Sequence, residues 1–122
     1  MTDIPPHQLP KDTGWIEVIT GCMFSGKTEE LIRRLRRAQI AKQKVKIFKP
    51  RIDARYSENS IVSHNEQSLP SILIDDIIEV LNHSDDAQVI GIDEAQFFNE
   101  SIIHICNSLA AKGKRIIVAG LD

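Results

Sequence analysis

The residues best suited to chemistry lie in a short segment near the start of the chain. It fits the pattern G-x-x-x-x-G-K-[ST] and consists of Gly21, Cys22, Met23, Phe24, Ser25, Gly26, Lys27 and Thr28. In such segments the glycines let successive backbone N–H groups point at phosphate oxygens, and the following helix adds partial positive charge. The lysine reaches the β- and γ-phosphates, and the last hydroxyl binds Mg²⁺. This segment, the phosphate loop, predicts a site for a nucleoside triphosphate with Mg²⁺ rather than an ordinary glycine-containing turn.

A pair of carboxylates, Asp93 and Glu94, directly follows the apolar run Val89–Ile92. Parallel sheets bind ligands at the carboxyl ends of their strands, so Asp93 is a candidate Mg²⁺ ligand, directly or through water. If the extended backbone continues, Glu94 points the other way and is the candidate general base. Ala95 and Gln96 complete this nucleotide-binding segment. Alone, the pair would fit a helix start or a solvated loop better, but together with the phosphate loop it indicates function.

Strands and helices must alternate to position these residues. Apolar, β-branched runs predict strands at 15–20, 45–48, Val89–Ile92 and 115–120. Apolar residues at helical spacing predict helices at 27–43 and 71–83, and a third that Asn99 caps and Gly113 ends. The third should bury Ile102, Ile103, Cys106 and Leu109, and residues 51–59 should form a loop. The sequence therefore predicts an α/β fold like that of P-loop nucleotide-binding proteins, a mostly parallel sheet with helices on both faces.

Length and composition favour one domain that acts on small molecules. The chain has 122 residues, 42% of them hydrophobic, and a net charge of -2, which gives no reason to expect binding to nucleic acid or membrane. Residues 1–13 include three prolines and should form a flexible tail, which leaves residues 14–122 as the domain. No apolar run resembles a membrane span or secretory signal, so a cytoplasmic location is expected. Cys22 and Cys106 form no CxxC pair, so no zinc ligands are expected here, and Cys106 should be a structural thiol.

Several motifs, in this order, resemble the thymidine kinases of the type shared by animals and many bacteria: GCMFSGKTEEL, FKPRIDARY, VSH and IDEAQFF. The resemblance covers residues 15–122. It implies transfer of the γ-phosphoryl group of ATP to the 5′-hydroxyl of thymidine. It also implies a role for each of several residues: Lys27 and Thr28 at the phosphates and Mg²⁺, Asp53 and Arg55 near the phosphates, Glu94 as the base, and Met23, Phe97 and Leu121 around the thymine.

Members of that family continue beyond the equivalent of Asp122 into a small lobe. The lobe carries four zinc-ligating cysteines and a loop that closes over thymidine, and neither is present in these residues. The resemblance therefore implies that this chain alone binds Mg-ATP without phosphorylating thymidine, and that the family's zinc lies outside it. It also implies a homo-oligomer, either a dimer or a tetramer. Cys22 stands where many relatives have proline, with little functional consequence expected, because the loop binds through backbone amides.

Other functions compete with a kinase. The residues from Asp93 to Gln96 also resemble the acidic box of helicases, which would make the chain a nucleic-acid-stimulated ATPase. Such motors need a second domain and a nucleic-acid groove, which one small acidic domain does not supply. A nucleotide-binding module without kinase activity remains a further alternative. A GTP switch is disfavoured, because the sequence has neither a DxxG segment after Asp93 nor a guanine-reading NKxD motif.

Overall fold

A computed structural model of the chain describes residues 13–22, 26–51, 60–62 and 68–120. In chain order the strands are β1 (Trp15–Thr20), β2 (Val45–Pro50), β3 (Ser60–Val62), β4 (Ser68–Pro70), β5 (Ile72–Ile74), β6 (Val89–Ile92) and β7 (Arg115–Gly120). The helices are α1 (Lys27–Ile40), α2 (Glu79–His83) and α3 (Ser101–Ala111), and a 3₁₀ turn (Ala95–Phe97) follows β6. Strands and helices thus alternate along most of the described chain.

The centre of the fold is a five-stranded sheet in the order β1-β7-β6-β2-β5, with every pair parallel. β7 therefore separates β1, which leads into the phosphate loop, from β6, which leads into the acidic pair. Neighbouring strands lie about 4.8 Å apart, so the ends of β1 and β6 are separated by roughly 10 Å. β3 and β4 form a separate antiparallel pair that the sequence did not predict.

Helices cover both faces of the sheet, as predicted. Side chains alternate along β7, so that Ile117 packs beneath α1 whereas Ile116 packs beneath α2 and α3. α1 buries Leu31, Ile32, Leu35 and Ala38, and α3 buries Ile105, Cys106 and Leu109. Burial raises the pKa of the Cys106 thiol to about 11, so this thiol stays protonated and acts as part of the core. The predicted α/β architecture is confirmed.

The predicted helix at 71–83 is wrong in its first half. Ile72–Ile74 forms strand β5, which pairs with the end of β2, and helix α2 occupies only Glu79–His83. The Glu79 carboxylate accepts hydrogen bonds from the backbone N–H groups of Asp75 and Asp76, at 2.7 and 2.8 Å. These bonds start the helix after the strand has ended. The apolar residues of this segment fit both periods, and pairing with β2 decided between them.

Smaller differences concern helix ends and one side chain. α1 ends at Ile40 rather than at residue 43, and Lys42 adopts a positive φ of 64° beyond it. The cap position of α3 is Glu100 rather than Asn99 and makes no side-chain cap hydrogen bond, although the Asn99 side chain accepts a hydrogen bond from the Ser101 N–H at 2.8 Å. Ile103 was expected in the core but is 61% exposed. The predicted tail, apart from residue 13, and most of the predicted loop at 51–59 lie outside the described residues. In the described part of the chain, no helix is long and apolar enough to cross a membrane.

Candidate active site

The start of α1 is shaped to receive an anion. Gly26 precedes the helix with φ 87°, a left-handed conformation that strains any residue with a side chain. In the described structure no side-chain hydrogen bond caps this helix. The first N–H groups of a helix have no partner within it, and the helix dipole adds partial positive charge there. A phosphate group next to Gly26 would satisfy both.

Lys27 lies across the phosphate loop. Its ammonium donates a hydrogen bond to the carbonyl oxygen of Cys22, at 2.7 Å, and Cys22 itself follows Gly21 at the end of β1. The centre of the loop, residues 23–25, lies outside the described residues. The ammonium is therefore held at the loop to which the sequence assigns phosphate binding.

Thr28 and Asp93 come together from different elements. Thr28 lies in the first turn of α1 and Asp93 directly follows β6, yet the Thr28 hydroxyl donates to the Asp93 carboxylate at 3.4 Å. Asp93 is only 6% exposed, and its other oxygen accepts a hydrogen bond from the Glu94 N–H at 2.9 Å. Neighbouring oxygen ligands of Mg²⁺ lie about 3 Å apart, because each Mg–O bond is about 2.1 Å. This pair of hard oxygen donors therefore fits Mg²⁺.

A glycine brings these two elements together. Gly91 lies two residues before Asp93 in β6, and a Cβ atom built on it would stand 2.8 Å from Leu35 Cδ1 of α1. A side chain there would require the buried Leu35 side chain of α1 to shift. The sequence analysis did not identify Gly91. The signal for it was a glycine inside a strand that is otherwise apolar and buried, a position typical of close packing.

Glu94 lies on a sharp turn. Its φ and ψ are 52° and 44°, a left-handed conformation that is costly for a residue with a side chain and that often marks a functional site. The extended backbone thus ends before Glu94, so the alternation expected to orient it does not apply. Its carboxylate instead accepts a hydrogen bond from the side-chain amide of Gln96, at 2.5 Å. The Gln96 contact thus contributes to the orientation of this carboxylate.

A second residue that the sequence analysis missed is Lys49. It lies near the end of β2 and is only 5% exposed, although lysine is almost never buried without a compensating group. The backbone N–H of Asp93 donates to the carbonyl oxygen of Phe48 at 2.9 Å, which sets the end of β2 beside the end of β6. The available signal was a lysine directly after the apolar run 45–48. Whether this lysine is buried depends, however, on which strand lies beside β2, and the sequence alone does not show that.

The structure brings only part of the predicted site together. Phe97, expected at the thymine, lies on the 3₁₀ turn and is 52% exposed, while Ala95 on the same turn packs against the core. The remaining predicted residues lie outside the described residues: Met23, Phe24, Ser25, Asp53, Arg55 and Leu121. Within the described part, the phosphate loop and the acidic pair meet through Thr28 and Asp93.

The sequence of the chain is similar to those of known proteins. Over 109 residues the chain is 62% identical to a thymidine kinase from a Rhodothermus species, a match that covers 89% of this chain and 51% of that protein. It is 57% identical over 115 residues to a thymidine kinase from Bacteroides fragilis, covering 94% of this chain and 58% of that protein. It thus spans about half the length of the curated relatives it matches. The thymidine kinase family model matches residues 14–122, and the chain belongs to this family.

Proposed function

We propose that this chain is the ATP-binding part of a kinase that transfers the γ-phosphoryl group of ATP to the 5′-hydroxyl of thymidine. The observation that carries the proposal is the approach of the Thr28 hydroxyl to the Asp93 carboxylate, which joins the phosphate loop to the acidic pair. Its relatives from Rhodothermus and Bacteroides fragilis are both named thymidine kinases. The acceptor is assigned through this similarity, whereas the donor site is argued from the chain's own residues.

Each residue of the site has a part in the proposed transfer. The backbone N–H groups around Gly26 bind the phosphates, and the Lys27 ammonium moves from the Cys22 carbonyl to the β- and γ-phosphates. Thr28 and Asp93 hold Mg²⁺, which when bound offsets the negative charge of the phosphates. Binding and positioning of this kind account for most of the catalysis of phosphoryl transfer.

Glu94 is the proposed general base. It takes the proton from the thymidine 5′-hydroxyl as that oxygen bonds to the γ-phosphorus, while the bond from phosphorus to the β–γ bridging oxygen breaks and ADP leaves. The hydrogen bond from Gln96 orients the carboxylate for this step. No phosphorylated enzyme forms, because the phosphoryl group passes directly between the two substrates.

The decisive experiment measures which acceptor stimulates ATP turnover. Titration calorimetry with Mg-ATP tests the donor site on the chain itself. A radiolabel transfer assay with thymidine, uridine or single-stranded DNA then tests the acceptor, in this chain and in a version as long as the relatives. Labelled thymidine phosphate from the longer version supports the proposal. Turnover stimulated by DNA would instead favour the ATPase, and Mg-ATP binding without transfer in either version would leave a nucleotide-binding module.

The finer expectations from composition and from the resemblance stay predictions. They are a cytoplasmic homo-oligomer, dimer or tetramer, that binds neither nucleic acid nor membrane, and a zinc site beyond the residues of this chain. Light scattering on the longer version would give the oligomeric state, and metal analysis of both versions would locate the zinc. Zinc in the 122-residue chain at one equivalent would contradict the last of these.

A further inference from the structure

We propose that Lys49 is a positioning residue for the metal site, and that its ammonium is the counter-charge of the Asp93 carboxylate when no metal is bound. The inference rests on the proposed function, because it takes Asp93 to be the residue that meets Mg²⁺. Lys49 lies in the FKPRIDARY segment, but the resemblance assigns it no role. Its assignment comes from burial, strand register and charge.

Strand register places Lys49 beside Asp93. Phe48 of β2 is the Cα partner of Ile92 of β6, so the next pair in the same parallel register is Lys49 and Asp93. The hydrogen bond from the Asp93 N–H to the Phe48 carbonyl oxygen, at 2.9 Å, continues this register past the end of β6. Adjacent strands lie about 4.8 Å apart, which leaves the two side chains within reach of each other.

Both side chains also lie on the same face of the sheet. Ile47 belongs to the cluster beneath α1, and Lys49 follows it by two residues, which is the period of a strand. In β6, Gly91 faces Leu35 of α1, and Asp93 follows Gly91 by the same period. The hydrogen bond from Thr28 of α1 to Asp93 agrees with this placement. The ammonium and the carboxylate therefore point into the same space beneath the start of α1.

Burial makes the charges dependent on each other. Lys49 and Asp93 are 5% and 6% exposed, so water solvates neither of them well. An isolated buried charge is strongly unfavourable, whereas a nearby opposite charge offsets much of that cost. Lys49 thus keeps the carboxylate in place while the metal site is empty. An ammonium beside Asp93 also repels free Mg²⁺, so the metal enters best together with a nucleotide, whose phosphates supply the missing negative charge.

A double-mutant cycle in metal-free buffer tests the inference. Lys49→Met keeps the length and apolar stem of the side chain but leaves Asp93 without its counter-charge, so the melting temperature should fall by about 10 °C. In an Asp93→Asn background the same substitution should cost less than half as much, since no carboxylate remains to be compensated. Equal losses in both backgrounds would overturn the proposal. If Lys49→Met does not fold, a double variant that also fails to fold overturns it equally.

Magnesium alone provides a readout that a merely structural lysine would not affect. Adding Mg²⁺ should raise the melting temperature of Lys49→Met by several degrees more than that of the parent, because Mg²⁺ replaces the lost positive charge. The same addition should leave the double variant unchanged, and an equal Mg²⁺ response in parent and Lys49→Met would contradict the inference. The matched control is Lys46→Met on the same strand, whose ammonium pairs with the exposed Asp86 at 2.9 Å. It should lower the melting temperature by less than about 3 °C, with no response to Mg²⁺.

The proposed function and the role of Lys49 are tested by different measurements, calorimetry with Mg-ATP and the double-mutant cycle. If the parent does not bind Mg-ATP in the calorimeter, the proposed function fails whatever the cycle shows. If the parent binds Mg-ATP but Lys49 and Asp93 prove independent in the cycle, only the role of Lys49 is withdrawn.

Discussion

The two ends of the parallel sheet both carry lysines and aspartates but use them differently. At the amino end, the Lys114 ammonium donates to the carbonyl oxygens of Ser84, Asp85 and Ala87, at 2.8, 3.1 and 2.6 Å. At the carboxyl end, Thr28 and Asp93 approach each other from separate elements. The amino-end lysine is saturated by the protein's own oxygens, whereas the carboxyl end gathers oxygen atoms where a cation would fit.

Helix ends explain this difference. α2 ends at His83, and the three carbonyl groups bound by Lys114 follow directly, where the partial negative charge of a helix C-terminus favours a cation. α1 begins at the opposite end of the sheet, where the partial positive charge of its N-terminus favours phosphate. In a parallel α/β fold every strand and helix repeats this polarity. At the amino end the carbonyl groups therefore bind Lys114, while the helix N-terminus at the carboxyl end is left for an anionic ligand.

The amino end also has a cleft. A cleft of about 300 Å³ lies at the amino end, partly lined by Trp15, Lys114 and Arg115. The Arg115 guanidinium beside it is already engaged, since it lies 5.8 Å from the centre of the Trp15 ring and pairs with Glu17. The carboxyl-end site is therefore recognised by side chains that converge from separate elements, whereas the presence of a cleft alone does not mark a site.

The largest expected effect comes from removing Lys27, the lysine of the phosphate loop. Lys27→Ala should weaken Mg-ATP binding at least about 10²-fold and abolish transfer, because it deletes a charge directed at the β- and γ-phosphates. Its melting temperature should change little, since the ammonium donates to one exposed loop carbonyl, that of Cys22. Calorimetric titration and thermal unfolding check the two statements. Lys112→Ala, at an exposed amino-end position, is the control. If Lys27→Ala binds Mg-ATP as tightly as the parent, the phosphate loop is not part of the ATP-binding site.

Glu94→Gln should separate catalysis from binding. In a version as long as the relatives, it should lower kcat by roughly 10²-fold or more while ATP affinity stays nearly unchanged, because the amide keeps the shape but cannot accept the proton. Steady-state kinetics with thymidine, together with ATP titration, measure both. Glu100→Gln, at an exposed position just before α3, is the matched control. An equal loss in ATP affinity would make Glu94 a ligand rather than a base.

The amino-end lysine should show the reverse pattern. Lys114→Met leaves the carbonyl oxygens of Ser84, Asp85 and Ala87 without their shared donor, which should cost about 2–3 kcal/mol of unfolding free energy. Mg-ATP affinity should stay within about twofold, because the substitution lies at the far end of the sheet. Urea unfolding and calorimetry test both parts, with Lys112→Met as control. If Lys114→Met is as stable as the parent but binds Mg-ATP poorly, this lysine serves ATP binding and not the stability of the fold.

The sequence predicted the halves of the site because each is local. A glycine-bounded loop between strand and helix, and a carboxylate pair after a buried strand, can be recognised without knowing the strand order. Lys49 could not be recognised without the strand order, because its burial beside Asp93 depends on the pairing of β2 with β6. The same limit explains the error at 71–83, where pairing with β2 turned Ile72–Ile74 into a strand. The left-handed turn at Glu94 was not predicted, because glutamate has no preference for this backbone conformation.

The smallest expected effect concerns a charged cluster at the carboxyl end that is not part of the site. Hydrogen bonds from Arg33 and then Arg34 lower the pKa of Glu30 from its ordinary value of 4.5 to about 2. A carboxyl whose pKa is lower in the folded state stabilises the fold above pH 4.5, and this contribution is lost as the pH falls from about 4.5 to about 2. The cluster is partly exposed, so Glu30→Gln should cost less than about 1 kcal/mol at pH 7. Urea unfolding of parent and variant from pH 7 to pH 3 measures this difference, which should shrink on acidification. Mg-ATP affinity should not change, since Thr28 and Asp93 keep their contact. If the difference in unfolding free energy between parent and Glu30→Gln grows toward pH 3, the pKa of Glu30 is not lowered by folding. If Glu30→Gln loses ATP affinity, the binding site extends along α1 as far as Glu30.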